Sequence, residues 1–199
     1  MGIFGGTFDP VHEGHVVMAE GAAAKFGLER LVFLPARLSP HKTRLPTDAR
    51  HRVAMLALAL QGHPTWSIDL EELDREGPSY TVDTLRRLAA RLLHDDLWLL
   101  MGTDTLAGFA RWKEPEAIVA LARVAAFYRE PFRGEGLVIP GVAGLSERLD
   151  VFDAGSVRIS ATELRDELAV GAEAAGRVPP SVAEYITKHG LYIPEVAER

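Results

Sequence analysis

Cysteine is absent from the 199 residues. That excludes a disulfide framework, a thiolate zinc site and a thiol nucleophile, and it fits a reducing compartment. Asparagine is absent too, and Gln61 is the only glutamine. Depletion of thermolabile amides fits a heat-adapted or compositionally biased source and carries no functional reading. No stretch reaches the ~18 consecutive apolar residues of a membrane helix, and no basic segment leads into an apolar run at the start. A soluble, cytoplasmic protein is expected, with no membrane partner. The charge balance is acidic, with 28 Asp and Glu against 22 Lys and Arg for a net −6, so nucleic acid is not an expected partner either. Any phosphate chemistry must rest on a local site. The two usual phosphate fingerprints, G-x-x-x-x-G-K-[ST] and G-x-G-x-x-G, are also missing. Neither a P-loop NTPase nor an ordinary dinucleotide-binding dehydrogenase is indicated.

With 47% hydrophobic residues and no repeats or low-complexity tract, the chain is long enough for one packed domain over 1–199. Short apolar runs recur at Gly2–Phe4, Leu31–Pro35, Trp66–Leu70, Leu97–Met101, Val124–Tyr128 and Leu149–Phe152. Helical patterns lie between them at His15–Phe26, Ala49–Leu60, Thr81–Leu93 and Glu116–Ala122. Strands alternating with helices of this length predict βαβ units and a doubly wound α/β fold, with a parallel sheet covered on both faces. After residue 160 the pattern turns helical, with Thr162–Val170 and Pro180–Lys188 both amphipathic, and predicts a small C-terminal helical appendage. The run Glu71–Asp74 with Arg75 and Glu76 reads as a solvated loop without a function.

The opening stretch MGIFGGTFDPVHEGHV crowds glycines, an Asp-Pro and two histidines after the first strand. In an open α/β sheet ligands bind beyond the carboxyl ends of the strands, where the strand order reverses. Gly5 and Gly6 let the backbone turn and approach a ligand without a Cβ in the way, and the helix that follows presents free N–H groups. That combination suits a phosphate. His12 and His15, three apart at the helix start, lie on one face and can both donate to phosphate oxygens. A zinc site and two surface histidines remain alternatives for this spacing; no third metal ligand is set by the sequence.

Other polar residues have a local reading beside a binding one. Ser160 and Thr162 suit a helix N-cap, and Glu163 adds the usual first-turn acid. Arg165 is less expected there, because cations are disfavoured at a positive helix end, and an anion would explain it. Ser79-Tyr80-Thr81 precedes a helix and capping suffices. Gly102 and Asp104 sit at a carboxyl-end loop, where polar residues more often bind than pack. Lys42 follows a strand and a proline turn and reads as a surface charge, and Trp112 as core or a packing lid.

GGTFDPVHEGH matches the signature of the nucleotidyltransferases that carry a (H/T)xGH motif on a Rossmann-like sheet. The blocks SPHK at 39–42, SYTVDTL at 79–85, MGTDTLAGFARW at 101–112, RISATELR at 158–165 and VPPSVAEYITKHGLY at 178–192, in this order, resemble the bacterial nicotinate-nucleotide adenylyltransferases across essentially the whole chain. The resemblance implies transfer of AMP from ATP to nicotinate mononucleotide, giving deamido-NAD and pyrophosphate, with Mg2+ arriving on ATP and no dedicated metal cage. It implies that His12, His15, Lys42 and Arg165 act on the ATP phosphates. Gly5, Gly6, Thr7, Phe8, Gly102, Asp104, Ile159, Ser160 and Thr162 would bind the nucleotide, and Tyr80, Thr81 and Trp112 would shape the nicotinate pocket. The chain departs from the family pattern at Ala161, where a serine is common, at Lys113, where an aromatic is frequent, at Ser39 and in the run 128–131. A homo-oligomer is compatible with the sequence, which leaves the oligomeric state open.

Overall fold

A computed structural model of the chain describes residues 1–40, 44–92, 95–128, 137–153 and 159–193. Six strands, β1 (Gly2–Gly6), β2 (Leu31–Pro35), β3 (Trp66–Ile68), β4 (Trp98–Gly102), β5 (Arg123–Tyr128) and β6 (Leu149–Asp153), form one parallel sheet. Their order is β3-β2-β1-β4-β5-β6. The chain thus winds outward from β1 in one direction, returns, and winds outward from β4 in the other, so the order reverses between β1 and β4. The registers Gly2 to Trp98 and Ile3 to Leu99 set these two strands side by side. This is the doubly wound sheet that the alternating pattern predicts.

Period-two alternation along the strands explains why both faces are covered. In β1, Ile3 faces one hydrophobic cluster and Phe4 the other; in β5, Val124 and Ala126 face the first, Ala125 and Phe127 the second. The Ile3 face is covered by α4 (Thr81–Arg91) and α6 (Pro115–Leu121), which bury Val82, Leu85, Leu88, Ile118 and Val119. The Phe4 face is covered by α1 (Glu13–Phe26), α2 (Ala49–Ala59), α8 (Ala161–Ala169) and α9 (Pro180–Lys188). The C-terminal helices are therefore part of the main core: Leu164, Leu168, Val182 and Ile186 are buried with Met55 and Leu56. His51 on α2 and the Tyr185 hydroxyl on α9 lie 3.0 Å apart across that packing. Helix ends follow ordinary rules. Gly27 closes α1 in the left-handed region (φ 60), Asp48 caps α2 by accepting from the Arg50 N–H at 2.8 Å, and Pro180 opens α9. Among the described residues no helix is long and apolar enough to cross a membrane.

The loops at the carboxyl end of the sheet are hung on a buried cation. Arg52, 1% exposed, donates from Nη1 to the carbonyls of Thr7 (2.8 Å) and Ala36 (3.0 Å) and from Nε to that of Thr47 (2.8 Å). Burial pulls its guanidinium below the ordinary arginine value, and the field of the buried Asp9 carboxylate opposes that pull. One side chain thus fixes the loop after β1, the end of β2 and the entry to α2. Arg52→Met is expected to cost about 3–5 kcal/mol of unfolding free energy, because it strands a buried acid and several carbonyls. Denaturant unfolding checks this; a loss under about 1 kcal/mol, the size of an exposed pair, would contradict it.

Candidate active site

Where the strand order reverses, the carboxyl ends of β1 and β4 open into a cleft of about 900 Å3, near the top of the ~300–1,000 Å3 range of small-molecule sites. It is the place where an open parallel sheet binds ligands. Gly5, Gly6, Thr7, Phe8, His12, His15, Tyr80, Thr81, Gly102, Asp104, Trp112, Ser160, Thr162 and Arg165 all line it. Tertiary structure thus gathers residues from both ends of the chain. Two sequence-predicted site residues stand apart. Ile159 is 8% exposed and packs in the hydrophobic cluster beside Leu164, without lining the cleft. Lys42 lies outside the described residues.

The loop after β1 is built on an aromatic floor. Phe8, with φ 49 and 2% exposed, meets Phe4 edge-on at 5.7 Å and Phe33 at 5.8 Å between ring centres. The His15 ring rests on that floor, 5.1 Å from Phe8, and His12 lies 3.7 Å from His15 on the other side at an interplanar angle of 30°. His12 is the N-cap of α1 and is buried; its backbone N–H donates to His15 Nδ1 at 3.2 Å. Accepting at Nδ1 places the proton of a neutral His15 on Nε2, where it can be donated.

Asp9, 4% exposed, joins this loop to the far end of the chain. Its backbone carbonyl accepts from Arg165 Nη1 at 2.6 Å, and its carboxylate accepts from the Tyr192 hydroxyl at 2.9 Å and the Thr47 N–H at 3.3 Å. Burial, then the Asp9 carboxylate, push the Tyr192 phenol well above its ordinary range, so it stays a donor. Arg165 Nη2 also donates to Thr162 Oγ1 at 3.2 Å, which holds the guanidinium at the start of α8 with its remaining N–H groups available to an anion. Ser160 caps α8, as its local sequence predicts, by accepting from the Glu163 N–H at 3.5 Å.

On the other wall Tyr80, the residue before α4, and Thr81, its first residue, stand with Trp112 and Lys113. Lys113, which replaces an aromatic of the family pattern, keeps its ammonium 4.8 Å from the Tyr80 ring centre and 2.9 Å from Asp83. The wall is therefore a cation over an aromatic face rather than a second ring.

A model of the cytidylyltransferase-like family matches residues 3–167. The chain belongs to that family. Among curated relatives, Bacillus subtilis nicotinate-nucleotide adenylyltransferase is 34% identical over 193 residues, which span 96% of this chain and 97% of its own. A Thermomicrobium roseum protein named "Probable nicotinate-nucleotide adenylyltransferase" is 39% identical over 194 residues, 96% of this chain and 91% of its own. Among solved structures, Plasmodium falciparum nicotinic acid mononucleotide adenylyltransferase complexed with NaAD superposes with a TM-score of 0.76 over 96% of each chain. At 18% identity that likeness concerns the fold.

Family membership and geometry together correct one sequence reading. The run at 71–74 is a short helix, α3 (Glu71–Asp74), and Glu72 is 6% exposed at the wall of the cleft rather than solvated. Its carboxylate accepts from Thr84 Oγ1 at 2.7 Å. Burial raises its carboxyl above the usual range, and the Thr84 and Ser79 hydroxyls and nearby Arg75 pull it back. Asp9, Arg52 and Tyr192 are the other residues that sequence reading passed over; only Asp9, inside the quoted opening motif, had any local signal.

The glycines divide the work of the opening loop. A Cβ on Gly6 would meet the Phe8 ring at 3.0 Å, whereas one on Gly5 would meet nothing within 4 Å and would enter the cleft. Gly5→Ala is expected to unfold like the parent, within about 0.5 kcal/mol, while weakening nucleotide binding. Thermal unfolding beside ATP titration checks both; unaltered ATP affinity would mean that no ligand approaches this backbone.

Proposed function

We infer that the chain is a nicotinate-nucleotide adenylyltransferase: it transfers AMP from ATP to nicotinate mononucleotide, forming deamido-NAD and pyrophosphate in NAD biosynthesis. Nearly full-length relatives of that name support the activity. The observation that carries the reading of the site is the gathering of His12, His15, Thr162 and Arg165 with Tyr80, Thr81 and Trp112 around one cleft. We read the first group as the phosphate side and the second as the acceptor side of a single nucleotidyltransferase domain spanning 1–199.

An oxygen of the mononucleotide phosphate attacks the α-phosphorus of ATP; the bond to the bridging β-oxygen breaks and pyrophosphate leaves. No protein nucleophile is needed. The protein contributes positioning and charge stabilisation, and orientation of two bound reactants is worth ~7–11 kcal/mol in favourable cases. The N–H at His15 Nε2 donates to the reacting phosphate, and Arg165, held by Asp9 and Thr162, receives the charge that moves onto the leaving group. Thr7, Phe8, Gly102 and Asp104 line the same cleft and are read as nucleotide contacts. Magnesium is the proposed cofactor. It would arrive on the triphosphate and keep most of its waters.

On the acceptor side, Trp112 supplies a face for the flat pyridine ring whichever substituent it carries. Backbone N–H groups at the start of α4, with the Thr81 hydroxyl, favour a carboxylate that accepts without donating; an amide would leave polar groups unpaired at about 1–3 kcal/mol each.

Pyrophosphate release from ATP and Mg2+ is expected to be fastest with nicotinate mononucleotide, slower with nicotinamide mononucleotide and slowest with phosphopantetheine; equal or faster turnover with phosphopantetheine would sink the assignment. In the same assay Trp112→Ala should raise KM for both mononucleotides by similar factors, whereas Thr81→Ala should narrow the acid-to-amide ratio. The reverse pattern would overturn this account of the pocket. His15→Ala should lower kcat about 10²–10³-fold, as loss of a preorganised donor does, with a much smaller effect on ATP binding. Activity within a few-fold of the parent, in a folded variant, would reduce His15 to a helix-start residue.

A further inference from the structure

Glu72 is buried at the wall of the cleft, yet nothing in the transfer chemistry above uses it. A buried carboxylate persists only where hydrogen bonds replace its water. Its direct partner is the Thr84 hydroxyl at 2.7 Å, and the Ser79 hydroxyl also favours its charge, so that the two residues acting on it bracket Tyr80 and Thr81. Glu72 therefore grips both sides of the bend at which the chain enters α4. Further bonds extend this grip across the end of the sheet. Ser79 Oγ accepts from the Arg37 backbone N–H at 3.1 Å, and the Ser79 N–H donates to the Leu38 carbonyl at 2.9 Å. Arg75 Nη2 donates to Thr84 Oγ1 at 2.9 Å, and Arg37 Nη1 donates to the Arg75 carbonyl at 2.7 Å. The bend has no local substitute for this network, because Tyr80 at the N-cap makes no side-chain cap bond.

We propose that Glu72 is a positioning residue for acceptor selection: through Thr84 and Ser79 it fixes Tyr80 and Thr81 in the cleft that they line with Trp112. This rests on reading Tyr80, Thr81 and Trp112 as the acceptor side of the cleft. The network meets the Arg52 arrangement only at the peptide between Ala36 and Arg37, whose carbonyl accepts from Arg52 and whose N–H donates to Ser79, and it makes no bond to Arg165, which is anchored on Asp9. Disturbing it should therefore alter the acceptor and spare ATP, a split that general loosening of the fold would not produce.

The test uses Thr84→Val, which keeps shape and burial but cannot donate to Glu72, with Thr84→Ser as its rescue and Glu72→Gln as an intermediate that leaves one hydroxyl without an acceptor. Thr84→Val is expected to raise KM for nicotinate mononucleotide roughly ten-fold, the size of one lost buried hydrogen bond, and to lower the acid-to-amide ratio. KM for ATP and kcat should stay within about two-fold, the signature of lost uniform binding, and Thr84→Ser should restore the parent values. Amide exchange over residues 80–85 of the ligand-free protein should quicken in Thr84→Val and Glu72→Gln. A KM for ATP that rises in step, an unaltered mononucleotide KM, failure of the serine rescue, or unaltered exchange would each overturn the proposal. Wild-type turnover favouring phosphopantetheine would instead overturn the assigned function, and the exchange measurement would still decide whether Glu72 holds the bend.

Discussion

Two buried charges, Arg52 and Asp9, are the constraint on which the cleft depends. A guanidinium almost out of water has to be surrounded by acceptors, and here they are the carbonyls of Thr7, Ala36 and Thr47, with the Asp9 carboxylate as the balancing charge. A buried acid must likewise find donors, and Asp9 takes them from Thr47 and from Tyr192, 183 residues away. Satisfying two buried charges thus draws the first loop, the entry to α2 and the C-terminal residues into one place. Because the Asp9 carbonyl also receives Arg165, that cation at the start of α8 is set by the same arrangement.

The opening loop shows how packing and chemistry share residues. Gly6 has no room for a Cβ because Phe8 turns back beneath it, and Phe8 forms the floor on which His15 rests. The His12 N–H, a donor that α1 leaves without a helical partner, is used to settle the proton of His15 on its outer nitrogen. One hydrogen bond thus both caps the helix and orients the His15 ring. The acceptor wall is organised differently, through hydroxyls on Glu72 and a lysine shared between Tyr80 and Asp83. The two networks touch only at the peptide between Ala36 and Arg37, whose carbonyl meets Arg52 and whose N–H meets Ser79.

Much of this was legible in the chain, and the reasons are local. Alternating apolar residues mark the strands, with boundaries displaced by a residue or two where pairing, not pattern, ends them; β3 stops at Ile68 rather than Leu70. Ser160 was readable as a cap, because helix ends have fixed hydrogen-bonding demands. Glu72 was misread because acids crowded at 71–74 look solvated until a partner helix brings hydroxyls to one of them. The C-terminal helices were expected after the sheet and are there; what the pattern left open is that their apolar faces pack into the main core, since amphipathicity declares an apolar face but not what covers it.

By itself the sequence determined the alternation of strands and helices, the placing of a glycine- and histidine-bearing loop after the first strand, and membership of a family whose motifs are short and contiguous. Tertiary structure alone decided that Asp9 meets Tyr192 and Arg165, that Arg52 lies buried beneath the loops, and that Glu72 holds the entry to α4. The division has one physical reason. Periodicity, turns and caps are written in neighbouring residues, whereas the partner of a buried charge is chosen by which distant groups the sheet order brings within hydrogen-bond reach.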